Sequence, residues 1–415
     1  MSIIFNKETI KYVEQVEKSL SKSYSVIESI AFENFNRVLS AFQKNKVAAR
    51  HFFGTTGYGY DDIGRQALCD VYADVFESES ALVSPNITSG TQAISLALFG
   101  VLRPGQTLLS VSGQPYDTLH SVISGNGNGS LKDFGVSFES IELKDNDFDY
   151  NQISKYVKNK QPRVIFVQRS RGYSWKSPLS IDQIKKLVLF MKSISKDIVI
   201  VVDNCYGEFV AMHEPCSVGC DLAIGSLIKN PGGGIAHTGG YIAGKKELIE
   251  LVSNRLTSPS TGNEIGSYLS GYLPYFMGLF QAPHIVSQAV KGTMLFSAAF
   301  SKLGFNTLPV KNEIPLDIIC SIKFDFKDQL IKFCQQIQQC SPVDSFVLPI
   351  PWAMPGYDCD VIMAAGTFIQ GSSLELSCDS PIKVPYIAYL QGGLNIEHIK
   401  TTLCSVIEKF KLLEH

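Results

Sequence analysis

Hydrophobic residues recur at helical spacing over the first fifty positions. Ile10, Val13, Val16 and Leu20 share one face, and Val26, Ile30, Phe35, Val38, Leu39 and Phe42 continue it after a polar break at Ser21–Ser25. The spacing predicts a helical arm over residues 7–50. Beyond it the period changes. Short apolar runs at Ala81–Val83, Leu108–Val111, Val136–Leu143, Arg163–Gln168 and Ile198–Val202 read as strands. Helix-like segments fall among them, at Gln66–Phe76, in AISLALFGVL, at Asn151–Val157 and at Ile181–Ile194. The run Ile198–Val202 is wholly β-branched, the mark of a strand buried on both faces. Further apolar segments follow at Asp221–Ser226 and Tyr241–Gly244, then a helix in KKELIELVSNRL. Strands alternating with helices predict an α/β fold, a mostly parallel sheet with helices on both faces.

Residues 258–284 are rich in Gly, Ser, Tyr and Pro, and a helix is expected from about 285 to 303. After Pro309 the pattern turns to short strands, with helices at Lys327–Gln338 and Ile396–Lys411, which reads as a smaller α+β domain. The expected division is an N-terminal helical arm over 1–55, a large domain over 56–290 and a small C-terminal domain over 291–415.

Composition narrows the class. The chain has 415 residues, 45% of them hydrophobic and 18% charged, which suffices for a sizeable core. A net charge of −2 argues against a nucleic-acid surface. No apolar run approaches a membrane span, and the first residues, MSIIFNKETIKYVEQ, lack the apolar core of a signal peptide. A cytoplasmic protein with no membrane partner is expected. The ten cysteines are scattered; His213, Cys216 and Cys220 lie close together, but no second ligand pair has zinc-like spacing, so free thiols and no metal site are expected.

The polar residues with chemical potential cluster at strand ends. Asp203 closes the β-branched run, and a buried acid there needs a cation. Lys229 stands 26 positions later, before Pro231-Gly232-Gly233-Gly234, where glycines leave room for another molecule to reach the amine. Ser89-Gly90-Thr91 precedes a helix and offers hydroxyls, backbone amides and the helix dipole to an anion, although a plain helix cap reads the same way. Tyr116 follows the next strand and suits stacking on a flat ring. Arg169 and Arg171 follow another strand and suit a carboxylate, or a solvated basic turn. Ligands of open parallel sheets sit beyond the carboxyl ends of the strands. Lys229 with Asp203 fits pyridoxal phosphate (PLP), which needs a lysine for its Schiff base and an acid for its pyridine nitrogen. An ordinary α/β core with a surface lysine is the competing reading. No GxGxxG follows the first strand, which argues against a dinucleotide site.

The motifs GTTGYGYDD, SGTQAI, LRPGQTLLSVSGQPYDTL, QRSRGYSW, VVDNCYGEF, KNPGGGIAHTGGYIAG and MAAGTFIQGSSLELSCD resemble PLP-dependent enzymes of aspartate-aminotransferase fold type I. The resemblance is to their cysteine/methionine-metabolism branch, and within it to bacterial aluminium resistance proteins similar to cystathionine β-lyase and methionine γ-lyase. It spans nearly the whole chain. It implies Lys229 as Schiff-base lysine and Asp203 as the acid at the pyridine nitrogen. It further implies Tyr116 as stacking ring, and Ser89, Gly90, Thr91 and Ser226 as the phosphate site. Tyr58, Tyr60 and Arg65 occupy the region the branch sends into a neighbouring subunit's site, which implies a homodimer or homotetramer. Their spacing differs from the branch's Tyr-x-Arg, so the roles within that trio stay open.

The branch holds its substrate carboxylate with an arginine of the small domain, and this chain has no arginine after Arg255. Arg169 or Arg171 is then expected to do so, or Gln370 and Ser372 by neutral hydrogen bonds. The implied activity is carbon–sulfur bond cleavage in a sulfur-containing amino acid, by β- or γ-elimination. Lys229, its amine pKa expected to be lowered by burial and neighbours, would move the Cα proton, and Tyr58, Tyr60 or Tyr116 would protonate the leaving group. Other PLP reactions (γ-replacement, aldol cleavage, transamination) share the first steps, and a non-catalytic PLP-binding regulator is the rival from another class.

Overall fold

The computed structural model describes residues 5–310, 313–354 and 357–413. The arm is two helices, α1 (Lys7–Ser19) and α2 (Ser21–Lys44), separated only at Leu20. Ser21–Ser25, expected as a polar break, instead forms the first turn of α2. Next come α3 (Ile63–Val75), β1 (Ser80–Ser84), α4 (Gly90–Val101), β2 (Thr107–Ser110), α5 (Asp117–Ser124), β3 (Ser137–Ser140) and α6 (Tyr150–Lys160). They are followed by β4 (Val164–Gln168), α7 (Ile181–Ile194), β5 (Val199–Asp203), β6 (Leu222–Ser226), β7 (Gly240–Gly244), α8 (Lys246–Leu256) and α9 (Leu273–Lys302). The chain ends in β8 (Asn306–Leu308), β9 (Ile319–Phe324), α10 (Lys327–Gln339), β10 (Val361–Ala364), β11 (Ser377–Pro381), β12 (Tyr386–Gln391) and α11 (Ile396–Lys409).

Seven strands form one sheet in the order β1-β7-β6-β5-β4-β2-β3, parallel except for β7, which runs against both neighbours. The pleat sorts its side chains. Leu82, Leu108, Phe166, Val201 and Ile224 join the core under α4, α5 and α8. Ile165, Val167, Ile200 and Val202 face α6 and α7. Covered on both faces, β5 is buried along its whole length, which is why a wholly apolar run was needed there. The expected α/β architecture is therefore present, with the one reversed strand added.

The second sheet is antiparallel, in the order β10-β11-β12-β9-β8. Cys320, Ile322, Cys378 and Ala388 point into the main core with α9 and α10. The opposite pleat carries Ile319, Ile387 and Tyr389, which meet Tyr173 and Tyr206 of the large sheet's loops. α9 begins twelve residues before the expected start and runs 30 residues through Pro283 and through position 290, linking the regions of the two sheets. Pro274 opens it, where a missing amide costs nothing, while Pro283 removes an interior bond that the burial of Leu279, Ala282, Pro283 and Val286 offsets.

A candidate active site at the strand ends

β5 delivers Asp203 into a cavity of about 770 Å³ beyond the carboxyl ends of the large sheet, closed on the far side by the second sheet. Its carboxyl is buried; the Cys205 amide donates to Oδ1 at 3.1 Å, and the thiol also lies against it. Burial pushes the Asp203 pKa up, and Lys229 and Cys205 offset part of that shift.

Lys229 follows β6 and caps a short 3₁₀ turn, Asn230–Gly232. The glycines there are not an open loop. A Cβ on Gly232 would meet Leu227 O at 1.8 Å, and one on Gly233 (φ +55°) would meet Gly278 O of α9 at 2.3 Å. They let the turn pack tightly, which fixes where Lys229 starts. Its Nζ stands 4.1 Å over the centroid of the Tyr206 ring. The lowered lysine pKa expected from burial is reversed. Burial does oppose the ammonium, but Cys205, Tyr206, Asp203 and Tyr116 hold it well above the ordinary lysine value.

Tyr116 sits at the start of α5. Its amide donates to Gln168 Oε1 at 3.0 Å, and its hydroxyl lies 3.0 Å from Thr91 Oγ1. Burial first, and Asp203 second, raise its pKa. At the α4 start, Ser89 Oγ accepts from the Gln92 amide, leaving the first-turn amides of Gly90 and Thr91 at the cavity wall without an acceptor among the described residues. Ser226, the last residue of β6, comes alongside: a Cβ on Gly90 would lie 3.4 Å from Ser226 Cβ and 3.5 Å from Cys205 Sγ. The structure thus brings together Ser89, Gly90, Thr91, Tyr116, Asp203, Ser226 and Lys229.

The other candidates separate. Arg169 is turned inward and away from the cavity. Its Nη1 donates to Asn204 Oδ1 and Gly207 O, both at 2.8 Å, and Nε to Leu179 O at 3.2 Å. Burial lowers its pKa, opposed by Glu214 and Glu208. Arg169 is thereby corrected from substrate ligand to part of a buried polar network. Arg171 does line the cavity, in a bidentate pair with Asp317 (3.0 and 3.1 Å) and with Nη1 on Ser321 Oγ at 3.2 Å. Gln370 is exposed and Ser372 is buried, and neither lines the cavity.

Arg65 is also spoken for in its own protomer: its guanidinium donates to the carbonyls of Gly59, Gly266 and Glu264. It pins the loop that displays Tyr58 and Tyr60, 69% and 62% exposed, with ring centroids 5.6 Å apart and outside this cavity.

Several lining residues were not anticipated. Cys205 and Tyr206 follow Asp203 directly, within a motif whose acid drew the attention. Tyr173 lies two residues after Arg171. Tyr357, Asp379, Tyr389 and Gln391 come from the second sheet and its loops. The available signal for Asp379 was alternation: Cys378 and Ser380 are fully buried on one pleat, and Asp379 between them must face the other way.

A mostly parallel sheet, a second antiparallel sheet and a lysine–acid pair at the strand ends define the PLP-dependent fold type I architecture. The model of the methionine gamma-lyase family matches residues 9–411, so the chain belongs to that family. It is 48% identical over 402 residues to the uncharacterized protein YnbB of Bacillus subtilis, covering 96% of this chain and 95% of that one. A solved carbon–sulfur lyase involved in aluminium resistance, from Clostridium novyi NT, is 47% identical with a TM-score of 0.94, covering 98% of this chain and 96% of the other. The PLP-dependent protein YhfS of Escherichia coli, 17% identical, shares the fold with a TM-score of 0.61 over 92% of this chain and 96% of its own. Among the described residues, no helix is long and apolar enough to cross a membrane.

Proposed function

We propose that this chain is a PLP-dependent carbon–sulfur lyase that eliminates a thiol from the Cβ or Cγ of a sulfur-containing amino acid. The observation that carries the reading is the convergence of Lys229, Asp203, Tyr116 and the α4 amides on one cavity, in a chain of the methionine gamma-lyase family. The residues fit the cofactor. The α4 start offers two unaccepted amides beside the hydroxyls of Ser226 and Thr91, a donor set for a phosphate. Asp203 is a buried carboxylate offset by the Lys229 ammonium, so once Lys229 is engaged covalently the acid needs another cationic donor, and a pyridinium N–H is one.

When bound, PLP supplies an electron sink for the substrate α-carbon. Lys229 would hold the cofactor and, when free, would carry the proton to and from Cα. Asp203 would keep the ring nitrogen protonated, and Tyr116 would cover the ring. Arg171, the arginine that lines the cavity, positions the substrate carboxylate with Asp317 fixing its plane. Tyr58 and Tyr60 serve the neighbouring subunit of a homodimer or homotetramer, with Arg65 as the anchor of their loop. In this reading the arm is 1–55, the cofactor domain 56–290 and the small domain 291–415, with α9 spanning the last boundary.

The test is chemical. Purified protein should absorb in the visible, and borohydride reduction with peptide mapping should place the pyridoxyl group on Lys229. A panel of sulfur amino acids should then yield 2-oxo acid, ammonia and thiol in equal amounts. An adduct on a different lysine ends the site assignment, and a correctly loaded protein that releases thiol from no member of the panel ends the lyase reading.

A further inference from the structure

The second sheet puts one carboxylate into the cavity. Asp379 lies in the middle of β11, opposite Tyr389 on β12. Both of its recorded hydrogen bonds fall on Oδ2: Gln391 Nε2 donates at 3.0 Å and Tyr173 Oη at 3.4 Å. Among the described residues Oδ1 has no hydrogen-bond partner, and no lysine, arginine or histidine reaches ion-pair distance of either oxygen. Asp379 is therefore a half-buried acid that faces a cavity without a countercharge, an arrangement that is unfavourable until a cation arrives.

Rings surround it. Tyr173 lies 5.2 Å from Tyr389 and 5.7 Å from Tyr357, each pair tilted by 45°. Tyr206 packs into the same cluster and already carries the Lys229 ammonium above its face. A carboxylate beside electron-rich faces is the chemistry that recognises ammonium and sulfonium groups. The competing charges of the cavity lie elsewhere. Arg171 is paired with Asp317, Lys176 donates to Ser112 O at 3.2 Å, and Lys383 is exposed at the mouth.

The geometry points to Asp379, walled by Tyr173, Tyr206, Tyr357 and Tyr389, as the specificity site for a positively charged group on the far end of the substrate side chain. It rests on the lyase reading of this cavity and narrows it: the substrate class is a sulfur amino acid whose departing arm carries an ammonium, or whose sulfur is itself a sulfonium. The same acid disfavours a substrate whose far end is only a carboxylate.

The test uses the PLP-loaded protein and four probes: S-(2-aminoethyl)-L-cysteine, S-propyl-L-cysteine, S-carboxymethyl-L-cysteine and S-methyl-L-methionine. Binding is read both by calorimetry and by the change in visible absorbance. The aminoethyl probe should bind tighter than its neutral propyl analogue by roughly tenfold to a hundredfold, the worth of a hydrogen bond to a charged group, and the carboxymethyl probe should bind most weakly. Tight binding of S-methylmethionine would identify a sulfonium as the preferred cation, and weak binding an N–H donor.

Asp379→Asn should remove the preference and leave the propyl probe's affinity unchanged. Equal loss for every probe would show that Asp379 only shapes the cavity, and equal affinity of cationic and neutral probes in the parent would likewise overturn the assignment. Should Asp379→Asn not fold, Tyr357→Leu, half-buried at the rim, should lower affinity for the cationic probes alone. The two readouts separate the hypotheses: a cation preference in calorimetry without any absorbance change keeps the Asp379 site and removes the lyase reading, since the bound amino acid then does not engage the cofactor.

Discussion

Asp317→Ala should be among the most destabilising single changes in this protein. Asp317 and Arg171 are each 1% exposed, and the pair bridges the loop after β4 to the segment entering β9. Removing the carboxylate strands a guanidinium that is only 1% exposed, which costs about 3–5 kcal/mol. Asp317 Oδ1 also accepts the Ile319 amide at 3.0 Å, and orphaning that donor adds about 1 kcal/mol or more. Against a total stability of about 5–15 kcal/mol, this is a large fraction. The assay is urea denaturation of the parent, Asp317→Ala, Asp317→Leu, Arg171→Met and the Arg171→Met/Asp317→Leu double variant, followed by circular dichroism. The double variant should recover most of the loss, because apolar residues of similar volume often replace a buried pair at little cost. It should still fall short by about 2 kcal/mol, since the Ile319 amide loses its acceptor and Ser321 Oγ loses its donor. A coupling energy above about 2 kcal/mol is expected from the cycle. If Asp317→Ala lies within about 0.5 kcal/mol of the parent, water reaches the pair and the argument from burial fails.

Asp203→Asn should keep the fold but lose most turnover, since an amide cannot hold a ring nitrogen protonated; parent-like rates in a 2-oxo acid assay would make Asp203 a structural acid. Burial pushes the Asp379 carboxyl up to about 6 against the help of Gln391 and Tyr173. Affinity for the aminoethyl probe should therefore rise as pH increases through about 6, where the acid ionises, and be flat in Asp379→Asn; a parent profile equally flat from pH 5 to 8 refutes the shift. Mixing inactive Lys229→Ala protein with a Tyr58→Phe/Tyr60→Phe protein should restore activity in hybrids if the tyrosines serve a neighbour, and hybrids confirmed by mass that stay inactive count against sharing. Arg65 is left intact there because its three carbonyl bonds hold the loop itself.

The large sheet was legible because its strands are short apolar runs ended by polar residues, and α7 has the bounds that its period indicates. The cofactor-side residues were legible for the same reason: Ser89, Tyr116, Asp203 and Lys229 all stand where a strand or segment stops. α9 was half hidden, because Pro283 and the glycines before it mimic a loop while tertiary packing carries the helix through. The arginine pair shows the limit of strand-end logic. Arg169 and Arg171 are two positions apart after β4, yet one guanidinium turns into the interior and the other to the cavity. Only the positions of Asn204, Gly207, Asp317 and Ser321, remote in sequence, decide which does which.

The lack of a small-domain arginine looks at first like a missing carboxylate ligand. The arrangement of charge gives it a different meaning. At the cofactor end the cavity holds Lys229 and Asp203; at its flank stands Arg171, already neutralised by Asp317; on the small-domain wall stands Asp379. An arginine beside Asp379 would pair with it, as Arg171 does with Asp317, and that wall would then carry no net charge. With no arginine there, the wall presents negative charge and aromatic faces. On the two proposals above, an amino acid entering this cavity would be oriented by two unlike ends, its α-carboxylate drawn toward Arg171 and any cation on its side chain toward Asp379. The departure from the family pattern is thus a change in the sign of the charge that the small domain offers, which on those proposals favours a substrate whose side chain carries a cation.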